Sequence, residues 1–183
     1  QPNVRVISHN ESFAYYVCSQ KSDIWVNNVL MLNFRAGTLV ARTLYNNTKR
    51  GPHIVTVTEE VIPNVTLSFL KEDPNACDVA IANFLEILFR KSVYSACFLI
   101  GDAFNEEDKL RRSMRLLCSN KRAFKGQNLI VKGAGYAARE IFGDETIDTV
   151  ILCKGRTKLD IGLMAVYEGR ERLMVMSRSP YSV

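Results

Sequence analysis

Two glycines in this chain each follow an apolar run, at positions where a backbone amide could approach a phosphate group. Gly37 lies in the turn after Val29–Phe34, and Gly101 directly follows Ala96–Ile100. A glycine turn of this kind lets backbone N–H groups reach phosphate or ribose, because no Cβ stands in the way. Together the two turns point to a nucleotide site.

The order of the apolar segments predicts how these turns are positioned. Val29–Phe34 and Thr38–Tyr45 are apolar runs joined by a short turn, so we predict a β-hairpin. Ala96–Ile100 is apolar on both faces, which is typical of a parallel strand in the centre of a sheet. Further strands are predicted at Val4–Ile7, Ile54–Thr58 and Val65–Leu70, and helices at Phe13–Cys18, Ala76–Lys91, Glu106–Ser119 and Leu129–Phe142. This order predicts an α/β fold, a mixed sheet with helices packed on it.

The last part of the chain has a different pattern. Short strands are predicted at Thr149–Cys153, Asp160–Tyr167 and Arg172–Met176, with a turn at Glu168–Gly169. We therefore predict an antiparallel β tail. The predicted organisation is a first domain of residues 1–147 and an appendage of residues 148–183.

Composition limits the classes of partner. The chain has 183 residues, of which 47% are hydrophobic and 23% charged, and a formal net charge of +5. This length favours one domain with a real core, and no apolar run reaches roughly 20 residues, so we expect no membrane partner. Basic residues are interspersed with acids, which favours a solvated helix face over a nucleic-acid surface. Five widely spaced cysteines and two histidines form no metal-site pattern and fit a reducing cytoplasm.

Several segments resemble, in order, motifs from the second half of the actin, heat-shock-chaperone and sugar-kinase ATPases, which have a ribonuclease-H-like fold. Asn10–Glu11 stands where the N-E-P-T-A-A-A connecting helix of the chaperones begins. Leu32–Thr38 occupies the position of the family's apolar strand and its D-L-G-G-G-T turn. Phe98–Phe104 occupies the position of the family's adenosine motif, an apolar strand that ends in G-G-x-[ST]. Lys132–Ala138 is similar to the G-A-A-x-x-A-A start of the next helix. The resemblance covers Val4–Phe142 and is nearest to a poorly characterised bacterial branch of actin-like proteins.

The resemblance implies a site for Mg-ATP or ADP, with Asn33, Gly37, Thr38, Gly101 and Asp102 as its candidate binding residues. It also implies that Glu11 positions the attacking water; an acid favoured by the helix dipole is the alternative for Glu11. The phosphate turn departs from the family pattern. Asn33 replaces an aspartate that helps hold Mg²⁺, and Arg35 and Ala36 replace glycines. Asp102 replaces the second glycine of the adenosine turn. These departures predict weak or lost nucleotide binding, and the other phosphate hairpin would belong to an N-terminal lobe.

Two functions follow from the resemblance. In the first, the chain is the C-terminal lobe of a degenerate nucleotide-binding protein and acts as a scaffold or interaction module without catalysis. In the second, it is half of an active ATPase completed by an N-terminal lobe. Both functions imply the N-terminal lobe as a partner. The scaffold function also implies a separate protein as a partner. The β tail is one candidate contact surface; Phe13, Tyr15 and Tyr16 are another, with core packing as the alternative.

The sequence lacks the residues that other classes of reaction need. A ribonuclease-H-type nuclease needs several carboxylates at strand ends for two metal ions, but the first central strand offers Asn33. Neither His9 nor His53 lies in the pattern of a Ser/His/Asp or Cys/His nucleophile. The chain has no Walker sequence and no Rossmann glycine fingerprint. The two glycine turns therefore remain the strongest functional signal.

Overall fold

The computed structural model describes residues 4–34, 37–47, 53–143, 147–154 and 161–177. It contains a six-stranded mixed sheet and a separate two-stranded sheet. The strands are β1 (Asn28–Asn33), β2 (Thr38–Asn46), β3 (Ile54–Thr66), β4 (Tyr94–Ile100), β5 (Arg122–Lys125), β6 (Val150–Leu152), β7 (Ile161–Tyr167) and β8 (Arg170–Ser177). The α-helices are α1 (His9–Cys18), α2 (Leu67–Glu72), α3 (Pro74–Lys91), α4 (Arg111–Cys118) and α5 (Leu129–Phe142). Within the described ranges, no helix has both the length and the apolar character needed to cross a bilayer.

The order of the six strands is β5-β4-β1-β2-β3-β6. β1, β2 and β3 form an antiparallel meander, while β4 and β5 extend the sheet on the other side of β1 as parallel strands. β6 pairs in parallel with β3 at the opposite edge. β1 and β4 therefore lie inside the sheet, where helices cover both faces. Because both faces are covered, the two strands are almost continuously apolar.

Side chains of the central strands alternate between two cores, one on each face of the sheet. Val29 and Met31 of β1 pack with residues of α1 and α5, and we call this side the α1/α5 face. Leu30 and Leu32 pack with residues of α3 and α4 on the other side, which we call the α3/α4 face. The predicted α/β fold with helices packed on a mixed sheet is confirmed.

The helices α1 and α5 approach each other closely because Gly133 has no side chain. A Cβ atom at this position would lie 1.9 Å from the backbone oxygen of Ser12. The hydroxyl of Ser12 donates a hydrogen bond to the carbonyl of Ile130 at 2.6 Å. Gly133 therefore serves helix packing.

Two predicted strands were wrong. Val4–Ile7 forms no strand, and its valines are largely exposed. Val65–Leu70 instead contains the end of β3 and the beginning of α2. The side chain of Thr66 caps this helix by accepting a hydrogen bond from the N–H of Phe69 at 3.1 Å. Capping by a threonine side chain stabilises the first turn of a helix, which outweighs the strand propensity of this segment.

The predicted antiparallel tail is confirmed for β7 and β8 but was wrong for its first strand. Val150–Leu152 belongs to the six-stranded sheet, where the Val150 N–H donates to the carbonyl of His53 at 2.7 Å. The turn between β7 and β8 has a φ of 52° at Glu168 and 72° at Gly169. The division of the chain after residue 147 stays a prediction. A truncation meant to remove the tail has to spare Val150–Leu152.

Candidate functional site

The two glycine turns lie at the same edge of the sheet. β1 and β4 run in parallel and in register, with Asn33 beside Ile100, so their carboxyl ends coincide. The N–H of Phe34 continues the pairing by donating to the carbonyl of Ile100 at 2.8 Å. Gly37 follows β1 and Gly101 follows β4 directly. The geometric requirement of the predicted site, both turns at one edge, is therefore met.

The two glycines are required for different reasons. Gly101 has a φ of +113°, and a Cβ atom there would lie 2.4 Å from the backbone oxygen of Phe34. Gly37 has a φ of +91°, but no atom lies within 4 Å of its Cβ direction. Positive φ favours glycine at both positions. Gly101 additionally serves backbone packing between two parallel strands, whereas the space around Gly37 is open.

Glu11 lies in the first turn of α1 and is buried. Its backbone N–H donates to the hydroxyl of Ser8 at 3.1 Å, which caps the helix. A carboxylate oxygen of Glu11 pairs with the guanidinium of Arg5 at 3.5 Å. Glu11 is not among the residues that line the cavity described below. A role for Glu11 in positioning water stays a prediction.

Asp102 begins a short 3₁₀ turn after Gly101 and is exposed. The side-chain amide of Gln127 donates to an Asp102 carboxylate oxygen at 3.5 Å. Gly101 and Gln127 also line a small cavity of about 230 Å³ with Lys125, and Asp102 does not line it. The carboxylate of Asp102 is thus exposed to solvent just beyond the carboxyl end of β4, outside this small cavity. Arg35 and Ala36 of the phosphate turn lie outside the described residues.

A larger cavity of about 470 Å³ opens on the α1/α5 face where β1 and β4 end, and we call it the edge cavity. It lies between the sheet and the first turns of α1 and α5. Its polar lining residues are His9, Asn33, Thr38, Arg42 and Gln127. Its apolar lining residues are Val40, Ile100, Ile130 and Val131. The structure thus brings Asn33 and Thr38 together in one cavity, while Gly101 lines the smaller one and Gln127 lines both.

The strongest charge in the edge cavity is Arg42, which the sequence reasoning missed. Only 6% of this residue is exposed. It lies directly across from Glu59 in the β2–β3 ladder, and its Nη2 pairs with the Glu59 carboxylate at 2.6 Å. Its Nε donates to the Asn10 side-chain oxygen of α1 at 2.8 Å. A lone arginine within the apolar run Leu39–Leu44 was the signal that could have pointed to it.

Two buried polar atoms at the edge cavity have no hydrogen-bond partner in the described structure. They are Nη1 of Arg42 and Oδ1 of Asn33. Buried polar atoms are nearly always paired in folded proteins, so each such exception indicates strain or an ordered water, ion or ligand. The described residues contain no group of three or more metal-ligating side chains. The described side chains thus leave the hydrogen bonds of Arg42 and Asn33 incomplete.

The aromatic residues of α1 that were a candidate contact surface are part of the core. Phe13 and Tyr15 are completely buried on the α1/α5 face, so core packing, the stated alternative, holds for both. Tyr16 is half-buried, and its ring meets that of Phe98 edge-on at 5.5 Å between centroids. These side chains anchor α1 to the sheet and so fix the wall of the edge cavity.

Comparison with known proteins gives a family and no activity. Residues 1–154 match a family model whose description is "Family of unknown function (DUF5716) C-terminal". The match covers most of the chain, so the chain belongs to this family. No curated protein matches the sequence. The matched region includes β6 and ends before β7, so it covers the whole six-stranded sheet and leaves the separate hairpin outside.

Proposed function

We propose that this member of a family of unknown function is the C-terminal lobe of an actin-like protein with a degenerate nucleotide site, and that it acts as a scaffold or interaction module. The observation that carries the proposal is the position of the two glycine turns at one edge of the sheet, after parallel strands β1 and β4. An antiparallel meander continued by parallel strands fits the ribonuclease-H-like lobe that the sequence motifs resemble. We infer that this fold supplies the scaffold.

The loss of catalysis is supported by the chemistry of the same edge. Asn33 lacks the carboxylate that would help hold Mg²⁺, and the carboxylate of Glu11 is paired with Arg5. Gly101 has a structural reason to be glycine, because a Cβ atom there would lie 2.4 Å from the backbone oxygen of Phe34, so its presence does not require a phosphate. Transfer of a phosphoryl group depends on positioned metal ions and donors around the phosphates. This edge offers no such arrangement among its described residues.

An interaction role is supported by the hairpin of β7 and β8. Eight of its large apolar side chains are between 45% and 71% exposed. They are Leu163, Met164, Val166, Tyr167, Leu173, Met174, Val175 and Met176. A two-stranded ribbon with apolar side chains and unpaired edges is a template for pairing with another chain. We propose the N-terminal lobe of the same protein as its partner.

The alternative function is an active ATPase completed by that lobe. The feature that favours it is the retention of Gly37 and Thr38 at a turn where no atom lies within 4 Å of the Gly37 Cβ direction. Isothermal titration calorimetry of the full-length protein with Mg-ATP and Mg-ADP separates the two functions. We expect no heat of binding and no ATP turnover above the uncatalysed background.

The contrary outcome is equally specific. Submillimolar binding that is lost in Gly101→Trp and kept in Gly135→Trp would establish the active ATPase instead. Gly135 is a matched control because it is exposed on α5 and no atom lies within 4 Å of its Cβ direction. Circular dichroism of both variants shows whether either substitution disrupts the fold.

The partner proposal has its own test. Lysine at Val166 and Met174 should weaken binding of this chain to a separately expressed N-terminal region by at least about tenfold, since each substitution removes exposed apolar area from the contact. Lysine at Val79 and Ile87, which are exposed on α3, is the control. Equal affinities of the two double variants would exclude the hairpin as the contact surface.

A further inference from the structure

We propose that the outer side of helices α3 and α4 binds an acidic, partly apolar peptide segment of a separate protein. This inference rests on the scaffold function and names the chemistry of one of its partners. We call the binding surface the arginine surface, and it consists of Glu86 and Arg90 on α3 and Arg112 and Arg115 on α4. It shares no residue with the hairpin of β7 and β8.

The two helices bring these charged side chains together. Nη2 of Arg112 donates to the carboxylate of Glu86 at 3.0 Å, and Nη2 of Arg90 lies 4.0 Å from the other oxygen of that carboxylate. Arg115 follows Arg112 by three residues, so the two side chains are neighbours on one side of α4. Leu117 is completely buried on the opposite side of that helix. Three guanidinium groups and one carboxylate thus share the exposed side of the helix pair.

The arginine surface has more positive than negative charge. Its single carboxylate is shared between Arg90 and Arg112, and α4 itself contains no acidic residue. Among the described residues, Arg115 makes no ion pair. Three arginines against one carboxylate leave an excess of two positive charges. The complementary partner therefore brings negative charge.

These guanidinium groups are open to a partner. The side chains of Arg90 and Arg112 are 80% and 51% exposed, and Arg115 is exposed as well. A guanidinium has five N–H donors in a planar fork that matches the two oxygens of a carboxylate. Arginine is also enriched at protein interfaces, where contact with the partner excludes water and strengthens such pairs. Carboxylates of a bound peptide are therefore suitable acceptors.

Exposed aliphatic side chains on α3 add an apolar component to the surface. Val79 and Ile87 are 42% and 55% exposed, and they lie about two turns apart on the outer side of the helix. Burial of such side chains against a partner is favourable. A segment that combines acidic with apolar side chains would contact both parts of the surface.

The same features disfavour a nucleic acid or a membrane as the partner. The exposed residues of α3 and α4 include no aromatic side chain on which a base could stack. A peptide can space its carboxylates around Glu86, whereas a nucleic acid would bring a continuous row of phosphates. The apolar side of α4 is buried in the protein core, so this helix has no apolar face to insert into a bilayer.

The test uses a fluorescein-labelled peptide with the repeat Glu-Glu-Ala-Leu as the probe. The full chain is titrated at physiological ionic strength, and binding is followed by fluorescence anisotropy. We expect saturable binding with a Kd of about 10–100 µM, in the range of weak, transient contacts. An analogue with Gln at each Glu should bind at least about tenfold more weakly, because it lacks the charged acceptors. An analogue with Ser at each Leu should bind about threefold more weakly.

Two double variants show whether the arginine surface is responsible. Arg90→Gln with Arg115→Gln removes both excess charges and leaves the Arg112–Glu86 pair, so we expect at least about tenfold weaker binding. Lys21→Gln with Lys132→Gln removes the same net charge at exposed positions elsewhere and should bind as the wild type does. Melting curves of both variants check that the fold is intact.

Glu86→Gln should have the opposite effect. It removes the carboxylate of the arginine surface and raises the excess from two positive charges to three, so we expect about threefold tighter binding of the acidic peptide. A disturbed fold would not produce such a gain. Weaker binding by this variant would contradict the charge balance on which the proposal depends.

The contact to the N-terminal lobe is tested separately. The chain with Val166→Lys and Met174→Lys has an altered hairpin and an intact arginine surface, so it should bind the peptide with wild-type affinity. The two proposals can therefore fail independently. Loss of peptide binding in this variant would assign the peptide to the hairpin instead.

Three further outcomes would overturn the proposal. The first is equal affinity for the peptides with Glu and with Gln. The second is equal binding by the two double Gln variants. The third is displacement of the peptide by a DNA oligonucleotide, or by vesicles that contain phosphatidylserine, at a similar concentration of negative charge. That result would assign the surface to a nucleic acid or to a membrane.

Discussion

Two buried polar groups, Asp78 on the α3/α4 face of the sheet and Arg42 on the α1/α5 face, have their hydrogen bonds satisfied to different extents. On the α3/α4 face, the carboxylate of Asp78 accepts hydrogen bonds from the N–H of Arg112 at 2.8 Å and the N–H of Ser113 at 2.9 Å. The Ser113 hydroxyl donates to the same carboxylate at 2.5 Å. On the α1/α5 face, Arg42 has two of its three nitrogen atoms paired and leaves Nη1 without a partner.

This difference separates a fully satisfied polar group from one that is only partly satisfied. Asp78 lies on α3 and caps α4, whose own N-cap residue Leu110 makes no side-chain hydrogen bond. Its satisfied network joins two helices and fixes their positions. Arg42 joins β2, β3 and α1 and leaves one buried nitrogen atom without a partner. Four predictions test this contrast.

The largest effect is expected at the contact that holds the α1/α5 face together. Gly133→Ala would put a Cβ atom 1.9 Å from the Ser12 backbone oxygen. The helices must separate, so we expect a loss of about 3 kcal/mol or more in the free energy of unfolding, at the upper end of overpacking effects. Urea denaturation measures this loss.

Gly135→Ala is the matched control for that substitution. It lies on the same helix with no atom within 4 Å of its Cβ direction. Alanine has the higher helix propensity, so we expect a gain of up to about 1 kcal/mol. A Gly133→Ala protein as stable as the wild type would show that α1 and α5 are not in tight contact.

Removal of the capping carboxylate on the α3/α4 face should have the next largest effect. Asp78→Ala leaves the N–H groups of Arg112 and Ser113 without an acceptor, which should cost about 2–3 kcal/mol of unfolding free energy. Asp108→Ala is the control, because that side chain is 93% exposed. Equal stabilities of the two variants in urea would argue against a structural role for Asp78.

The stability of the protein should depend on pH through Cys97, which is buried on the α3/α4 face. Burial raises the pKa of this thiol to about 12, from an ordinary value of 9.0. Above pH 9 the unfolded chain loses the proton while the folded chain keeps it, so stability is complete below about pH 9 and falls as the pH rises towards 12. The expected loss from this group is about 1.4 kcal/mol by pH 10.

Cys97→Ala should therefore show a shallower decline in unfolding free energy between pH 8 and pH 10 than the wild type. Leu99→Ala is the control, because it truncates a buried side chain of the same strand without removing a thiol. It should lower stability by the same amount at each pH. Parallel curves for Cys97→Ala and wild type would contradict the expectation.

The smallest effect is expected at Arg42, whose guanidinium is incompletely paired. Arg42→Met removes one partner of the ion pair, but Glu59 is 40% exposed, so its carboxylate is solvated and is not left as a buried charge. Ion pairs that solvent reaches contribute little, so we expect a change of about 1 kcal/mol. A loss as large as that of Asp78→Ala would give Arg42 the same structural role and remove the contrast between the two groups.

Much of the fold was predictable from patterns of apolar residues. The central strands β1 and β4 and the helices α3 and α5 have long, regular signals that tertiary context does not overturn. β5 was missed because Arg122–Lys125 has only four residues and two are basic. It forms because β4 offers a parallel edge, which is a contact distant in sequence. Short strands of this kind depend on their neighbours more than on their own residues.

The candidate site was predictable only in part. Glycine turns are visible in a sequence, and both were found at the predicted edge. The importance of Arg42 depends on which partners its nitrogen atoms find, and these come from β3 and α1. The register of β2 against β3 and the packing of α1 decide which of these nitrogen atoms are paired. A sequence pattern therefore does not show that Nη1 of Arg42 has no hydrogen-bond partner.

The fixed contact between Ser12 and Gly133 also has a mechanical consequence. The backbone of α1 is held against α5 without an intervening side chain, so the two helices move together as one stiff unit. A change in the position of α1 therefore also moves α5, more than 100 residues later in the sequence. The separation of these two helices sets the width of the opening between them and the sheet.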